Sequence, residues 1–116
     1  MSKDQAPVQI RTSQPPPRAV VHLSGEIDLR SVPELQASLL GLARGPLERI
    51  VLDMSGVTYI DSSGVGTLVV LKREIERARA RIVLAGLQPR VRSVFEITRL
   101  DRFFTIAESV DEAQAS

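Results

Sequence analysis

The most constraining stretch of this chain is an apolar run, Ile50-Val51-Leu52-Asp53-Met54, followed closely by Tyr59-Ile60-Asp61-Ser62-Ser63-Gly64-Val65-Gly66. A helical apolar pattern then continues to about residue 78. A run this continuous suits a central strand covered on both faces. A strand feeding a helix through a short polar turn puts that turn at the carboxyl edge of a sheet, where open α/β folds carry their sites. Asp61, Ser62 and Ser63 all have side-chain oxygens able to accept from the free N–H groups of a helix start. The same helix end favours negative charge, so a serine there is a place where a covalent phosphate can sit. On spacing alone, these residues also suit an ordinary strand-to-helix cap.

Three enzyme motifs fail at this turn. A phosphate-binding P-loop needs Gly-Lys-Ser/Thr, and no lysine follows Gly64 or Gly66 until Lys72. The dinucleotide fingerprint lacks its third glycine, because Thr67, Leu68 and Val69 follow Gly64-Val65-Gly66. A nucleophile elbow at Ser62 needs glycine two residues earlier, where Ile60 stands.

Composition narrows the function classes further. The 116 residues suit one domain with a real core. A net charge of +1, three phenylalanines, one tyrosine and no tryptophan give no nucleic-acid footprint. Without cysteine and with one histidine, neither a metal site nor a cofactor is expected. No apolar run reaches the roughly 18 residues of a membrane span, and the polar start is unlike a signal peptide. A cytoplasmic protein with no membrane partner is the expectation.

In chain order, 8–10 reads as a short strand and 13–17, with its three prolines, as a stiff hairpin loop. Residues 18–24 form the next strand, with Ala19, Val21 and Leu23 on one face and Val20 and His22 on the other. His22 reads as a sheet-face side chain, since no partner is evident in sequence. Ser31 and Glu34 fit a capping box for a helix whose apolar face is Val32, Leu35, Leu39 and Leu42, stopped by Gly45-Pro46. The strand at 49–54 is expected to end there, with 55–58 as a connection. The second helix should turn Leu68, Leu71, Ile75 and Ala78 inward, while Val65, Val69 and Val70 spread apolar surface more widely. A strand at 81–85 follows, then a helix from Pro89 with Val91, Val94, Phe95 and Thr98 inward. Its arginines (Arg90, Arg92, Arg99 and Arg102) read as a solvated face. A strand at 103–107 and a helix at 108–115 close the chain. The fold class is therefore α/β, a mixed and mostly parallel sheet with helices mainly on one face, in the order β-β-α-β-α-β-α-β-α.

Four stretches carry a resemblance: Leu23-Ser24-Gly25-Glu26-Ile27-Asp28, the run at 50–54, Tyr59 through Gly66, and Val91-Arg92-Ser93-Val94-Phe95-Glu96-Ile97-Thr98-Arg99-Leu100. In this order they resemble the STAS domain (sulfate transporter and anti-sigma factor antagonist), specifically its small free-standing bacterial antagonists. The resemblance implies one STAS domain over 8–112, with flexible ends at 1–7 and 113–116. It implies a non-enzymatic, partner-switching regulator of transcription in stress responses. Such a protein binds a kinase-type anti-sigma factor and so releases a sigma factor. The anti-sigma factor uses ATP to phosphorylate the serine after the aspartate, here Ser62, and a PP2C-type phosphatase reverses this. Asp28, Asp61, Ser63 and Gly64 would neighbour the phosphorylation site. Ser62, Ser63, Val65, Gly66 and Val69 would face the partner. The proline-rich loop and the basic third helix depart from the family pattern. Two rival readings are a non-phosphorylated STAS scaffold subunit of a transport or lipid-trafficking ATPase, and a small enzyme using Asp28, Asp61 and Ser62.

Overall fold

In the computed structural model, which describes residues 7–115, the strands are β1 Val8–Gln14, β2 Arg18–Ile27, β3 Arg49–Ile60, β4 Arg81–Ala85 and β5 Thr105–Ala107. The helices are α1 Val32–Leu42, α2 Ser62–Arg77, α3 Pro89–Ile97 and α4 Val110–Ala115, with a short 3₁₀ turn Leu29–Ser31 before α1. The strands form one sheet in the order β1-β2-β3-β4-β5. β1 is antiparallel to β2 and the remaining pairs are parallel, which gives the mixed sheet read from sequence. β3 lies at its centre.

The alternation of side chains along the strands builds two cores. Ala19, Val21, Leu23, Ile50, Leu52, Met54, Ile82 and Leu84 face α1, α2 and α3, meeting Leu35, Leu39, Leu68, Leu71, Ile75, Val91 and Phe95. Val20, Val51, Val83, Ala85 and Ala107 face the other way and are covered by α4 through Ala113. Three helices on one face and a short one on the other explain why 50–54 is apolar on both sides.

Several boundaries differ from the sequence reading. β3 does not end at Met54 but continues to Ile60, because Ser24, Gly25, Glu26 and Ile27 of β2 pair with Gly56, Val57, Tyr59 and Ile60 through an irregular register. The residues expected as a connection are thus a bulged strand whose Val57 and Ile60 are buried. β1 likewise includes Ser13 and Gln14, leaving residues 15–17 as the hairpin loop. The capping box sits one turn earlier than expected. Ser31 makes no cap bond for α1; instead its Oγ accepts from the Asp28 N–H and donates to the Glu26 carbonyl. Thr98 and Ala78, expected inward, are exposed at the carboxyl ends of α3 and α2. β5 is shorter than expected, and α4 starts at Val110 rather than at residue 108 and runs to Ala115 with Ala113 buried. Residues 1–6 and 116 lie outside the described residues.

His22 sits on the sheet face, as expected, but it has partners. Its Nδ1 is 2.6 Å from Asp53 Oδ2 on β3, and its Nε2 is 2.7 Å from Ser13 Oγ on β1. The three side chains clasp three adjacent strands. The order resembles a serine–histidine–aspartate relay, but the neighbouring cavity of about 310 Å³ is lined by His22 and Asp53 and not by Ser13. The hydroxyl is not part of that lining, and what the three side chains visibly do is join β1, β2 and β3.

Burial pushes the Asp53 carboxyl up, but the Ser55 N–H and the His22 ring outweigh it and hold the group below the usual aspartate value. A depressed carboxyl stabilises the fold above its unfolded pKa of about 3.9 and loses that contribution as pH falls through the lower folded value. Asp53→Asn should therefore be less stable than the parent at neutral pH, by about 1 kcal/mol. The gap should close as the solution is acidified below the ordinary aspartate range. Urea unfolding at a series of pH values checks this; a gap independent of pH would show that the carboxylate charge is not what matters.

Candidate functional site at the carboxyl edge of the sheet

The parallel ends of β2 and β3 meet at the Ile27–Ile60 pair, and the Asp61 N–H extends the contact by donating to the Ile27 carbonyl at 3.2 Å. Asp28 and Asp61 thus leave neighbouring strands at one edge. Asp61 is extended (φ −115°, ψ −174°), and its Oδ1 accepts from the Gly64 N–H at 3.0 Å. Its carbonyl takes the first α2 bond, from the Val65 N–H at 2.9 Å. Of the three candidate caps, Asp61 is the one used. Ser62 becomes the first residue of α2 and is exposed, while Ser63 is half-buried and its carbonyl accepts from Thr67 Oγ1 at 2.9 Å.

Gly64 is what allows α2 to start so close to the strand ends. A Cβ there would lie 2.4 Å from the Ile27 carbonyl oxygen and 2.8 Å from side-chain atoms of Ile27 and Ile60. The glycine therefore fixes the distance between the helix start and the end of β2. Gly66, one residue past Val65, faces open space.

The electrostatics at Asp28 differ from two bare carboxylates. Arg30, which sequence reading did not single out, places Nη2 2.7 Å and Nε 3.1 Å from Asp28 Oδ2, and Nη2 also reaches Glu26 Oε1 at 2.9 Å. The Arg30 side chain holds the Asp28 carboxyl below its ordinary value, and the bonds from the Arg30 and Ser31 backbone assist. Asp28 also caps the 3₁₀ turn by accepting from the Arg30 N–H. Its proximity in sequence to Arg30 was visible, but the fork geometry needs the folded turn.

The surface of α2 is arranged by its period. Ser62, Gly66 and Val70 recur every four residues and are exposed, with Val69 half-buried beside them. Val65, expected to face a partner, instead points inward at 5% exposure and belongs to the main core. The exposed apolar residues nearest this edge in sequence are Leu29, Tyr59 and Val70, at 71%, 44% and 44% exposure. Among the described residues no group of three or more potential metal-ligating side chains occurs, and no helix is long and apolar enough to cross a membrane.

The sequence matches the STAS domain over residues 8–113. An anti-sigma F factor antagonist of Lysinibacillus sphaericus is 32% identical over 82 residues, covering 70% of each chain. The fold is similar to that of the anti-sigma factor antagonist SpoIIAA in its unphosphorylated form, with a TM-score of 0.76, 27% identity and 92% of each chain covered. The phosphorylated form of the Bacillus protein SpoIIAA aligns with a TM-score of 0.69 and 26% identity, over 93% of this chain and 96% of that one.

The two glycines of the turn should respond oppositely to substitution. Gly64→Ala forces the helix away from β2 and should lower stability by more than the roughly 1 kcal/mol that helix propensity would add. Gly66→Ala meets no neighbour and should stabilise α2 by up to about 1 kcal/mol. Paired thermal melts decide; equal stability of the two variants would mean that the close approach at Gly64 is not a constraint.

Proposed function

The chain belongs to the STAS domain family, and from that premise we propose that it is an anti-sigma factor antagonist switched by phosphorylation of Ser62. The observation that carries this is the division of labour at the turn. Asp61 supplies the cap, so the exposed Ser62 hydroxyl at the first position of α2 is not needed to start the helix. Support also comes from relatives named as anti-sigma factor antagonists and from the similarity of the fold to both forms of SpoIIAA. The reading has a kinase-type anti-sigma factor as partner and as the ATP-dependent kinase, and a PP2C-type phosphatase as the reversing enzyme. It places the protein in the cytoplasm, with no nucleic acid, membrane or cofactor involved. Ser62, Ser63, Gly66 and Val69 would face the partner, with Val70 and Tyr59 enlarging the apolar contact and Val65 supporting it from within.

The switch would act at the interface with the partner. A phosphate adds roughly −1.5 to −2 charges at neutral pH. The helix start favours it by about 0.3–1 kcal/mol, and the Asp61 carboxylate opposes it. The fold should therefore survive. A partner surface fitted to a neutral hydroxyl must bury the charge unpaired or hold off from it, and a coupling of about 1–3 kcal/mol weakens binding by about 5–150-fold.

Ser62→Ala should bind the anti-sigma factor while escaping phosphorylation, and phosphorylated protein should bind at least about fivefold more weakly with an unchanged melting transition. Mass spectrometry after incubation with anti-sigma factor and ATP locates the phosphate, and calorimetry compares the forms. Full labelling of Ser62→Ala at Ser63, or equal affinity of both forms, would defeat the proposal. Absence of any kinase-dependent labelling, with co-purification on a membrane ATPase, would favour the scaffold reading instead.

A further inference from the structure

We propose that the opposite edge of the sheet holds a second site, for a phosphate-type dianion, formed by Arg18, Arg49 and Arg81. These residues begin β2, β3 and β4 and are in direct register, Arg18 against Arg49 and Arg49 against Arg81. Each is two residues before Val20, Val51 or Val83, so all three share the α4 face. Like charges directly opposite one another across a sheet are destabilising, and three in a row need compensation.

The compensation present is incomplete. Arg18 pairs with Glu48, Nε to Oε1 at 3.1 Å, and both side chains are largely exposed. Arg49 is only 7% exposed, yet its Nε has no hydrogen-bond partner and its Nη1 makes one long bond, 3.4 Å, to the Gln114 carbonyl. Among the described residues the Arg81 side chain takes part in no ion pair. A cavity of about 230 Å³ is lined by Arg18, Glu48, Arg49, Arg81 and Gln114. Among the described residues that line it, one carboxylate faces three guanidiniums, which leaves two positive charges without a partner there. Capping of α4 explains the Nη1 contact, but a helix of six residues has little dipole and the bond does nothing for Nε or Arg81.

A buried guanidinium without an anion is costly. Its fork of N–H groups matches carboxylate and phosphate oxygens, and the residual charge of two matches a phosphate monoester or inorganic phosphate dianion. The backbone holds the edge in place: the Glu48 and Arg49 N–H groups donate to the Pro17 carbonyl at 2.7 and 3.1 Å, and the Arg81 N–H donates to the Glu48 carbonyl at 3.0 Å. The site lies at the other end of β3 from Ser62, roughly 35 Å along the strand. It rests on these arginines alone and stands or falls independently of the antagonist reading.

The test is a titration of the intact protein, followed by amide NMR, with inorganic phosphate, glycerol phosphate, acetate and chloride at constant ionic strength. Phosphate and its monoester should give saturable shifts at residues 18, 48–49, 81 and 114, and acetate or chloride should not. Arg81→Ser, an exposed change, and Arg49→Met should each weaken phosphate binding roughly tenfold or more. Arg81→Ser keeps the test decisive if Arg49→Met does not fold. Shifts that are linear and equal for chloride, saturation unchanged in Arg81→Ser, or saturable shifts confined to residues 61–64 would each overturn the proposal. Binding of inorganic phosphate but not the monoester would keep the site and restrict its ligand to the free ion.

Discussion

The parallel pairing of β2 with β3 is the interaction on which the rest of this structure depends. It runs from Arg18 against Arg49 to Ile27 against Ile60, interrupted by two register shifts. Its two strands are joined through the whole of α1, so the pairing is non-local and loop closure opposes it. Burial on both faces offsets that cost. Ala19, Val21, Leu23, Ile50, Leu52 and Met54 are fully or almost fully buried toward α1, α2 and α3, and Val20 and Val51 toward α4. Each large aliphatic side chain contributes about 1.5–3 kcal/mol when removed from water. Once the register is set, so are both edges of the sheet: three arginines at one, two aspartates at the other.

Much of this was legible because apolar periodicity reports burial directly. The central position of 49–54 and the two faces of β2 follow from counting apolar positions, and the helix starts near Asp61 and at Pro89 from cap and proline chemistry. Most of what was not legible depended on pairing between distant segments. Ser55, Gly56 and Thr58 have the composition of a turn, yet they form strand because β2 continues alongside them and β3 takes up its extra residues as bulges. His22 looked unpartnered because Asp53 and Ser13 reach it only across strand register. Ser31 looked like a cap for α1, but the turn before it recruited its hydroxyl first. The row of arginines is invisible until three strands are aligned.

The candidate site was legible in its residue types and not in its geometry. Asp61, Ser62 and Gly64 stand together in sequence; in the structure Asp61 caps α2, Gly64 lets the helix start close to β2, and Ser62 is exposed between them. Val65 could not be assigned to a partner or to the core from its spacing, since Val65, Val69 and Val70 between them cover more than one helix face. The fold resolves this: Val65 packs inward, Val69 lies at the boundary and Val70 is exposed. The exposed line Ser62, Gly66 and Val70 is then a narrow surface bounded by residues the core requires.

The same geometry limits what a charge on Ser62 can do inside the domain. A helix start offers unpaired N–H groups in its first turn. Asp61 already takes the Gly64 N–H and, through its carbonyl, the Val65 N–H. A phosphate at Ser62 is left with the donors of Ser62 and Ser63, or must displace the Asp61 carboxylate from its cap. Displacement exchanges one charge-assisted bond for another and gains little. Arg30, the basic side chain bonded to Asp28, is engaged by two carboxylates, so recruiting it would expose Asp28 and Glu26 to each other. No route through the domain's own bonds converts the phosphate into a large change in fold stability. If Ser62 is a switch, as proposed, its free energy would have to come from a partner across the exposed face of α2.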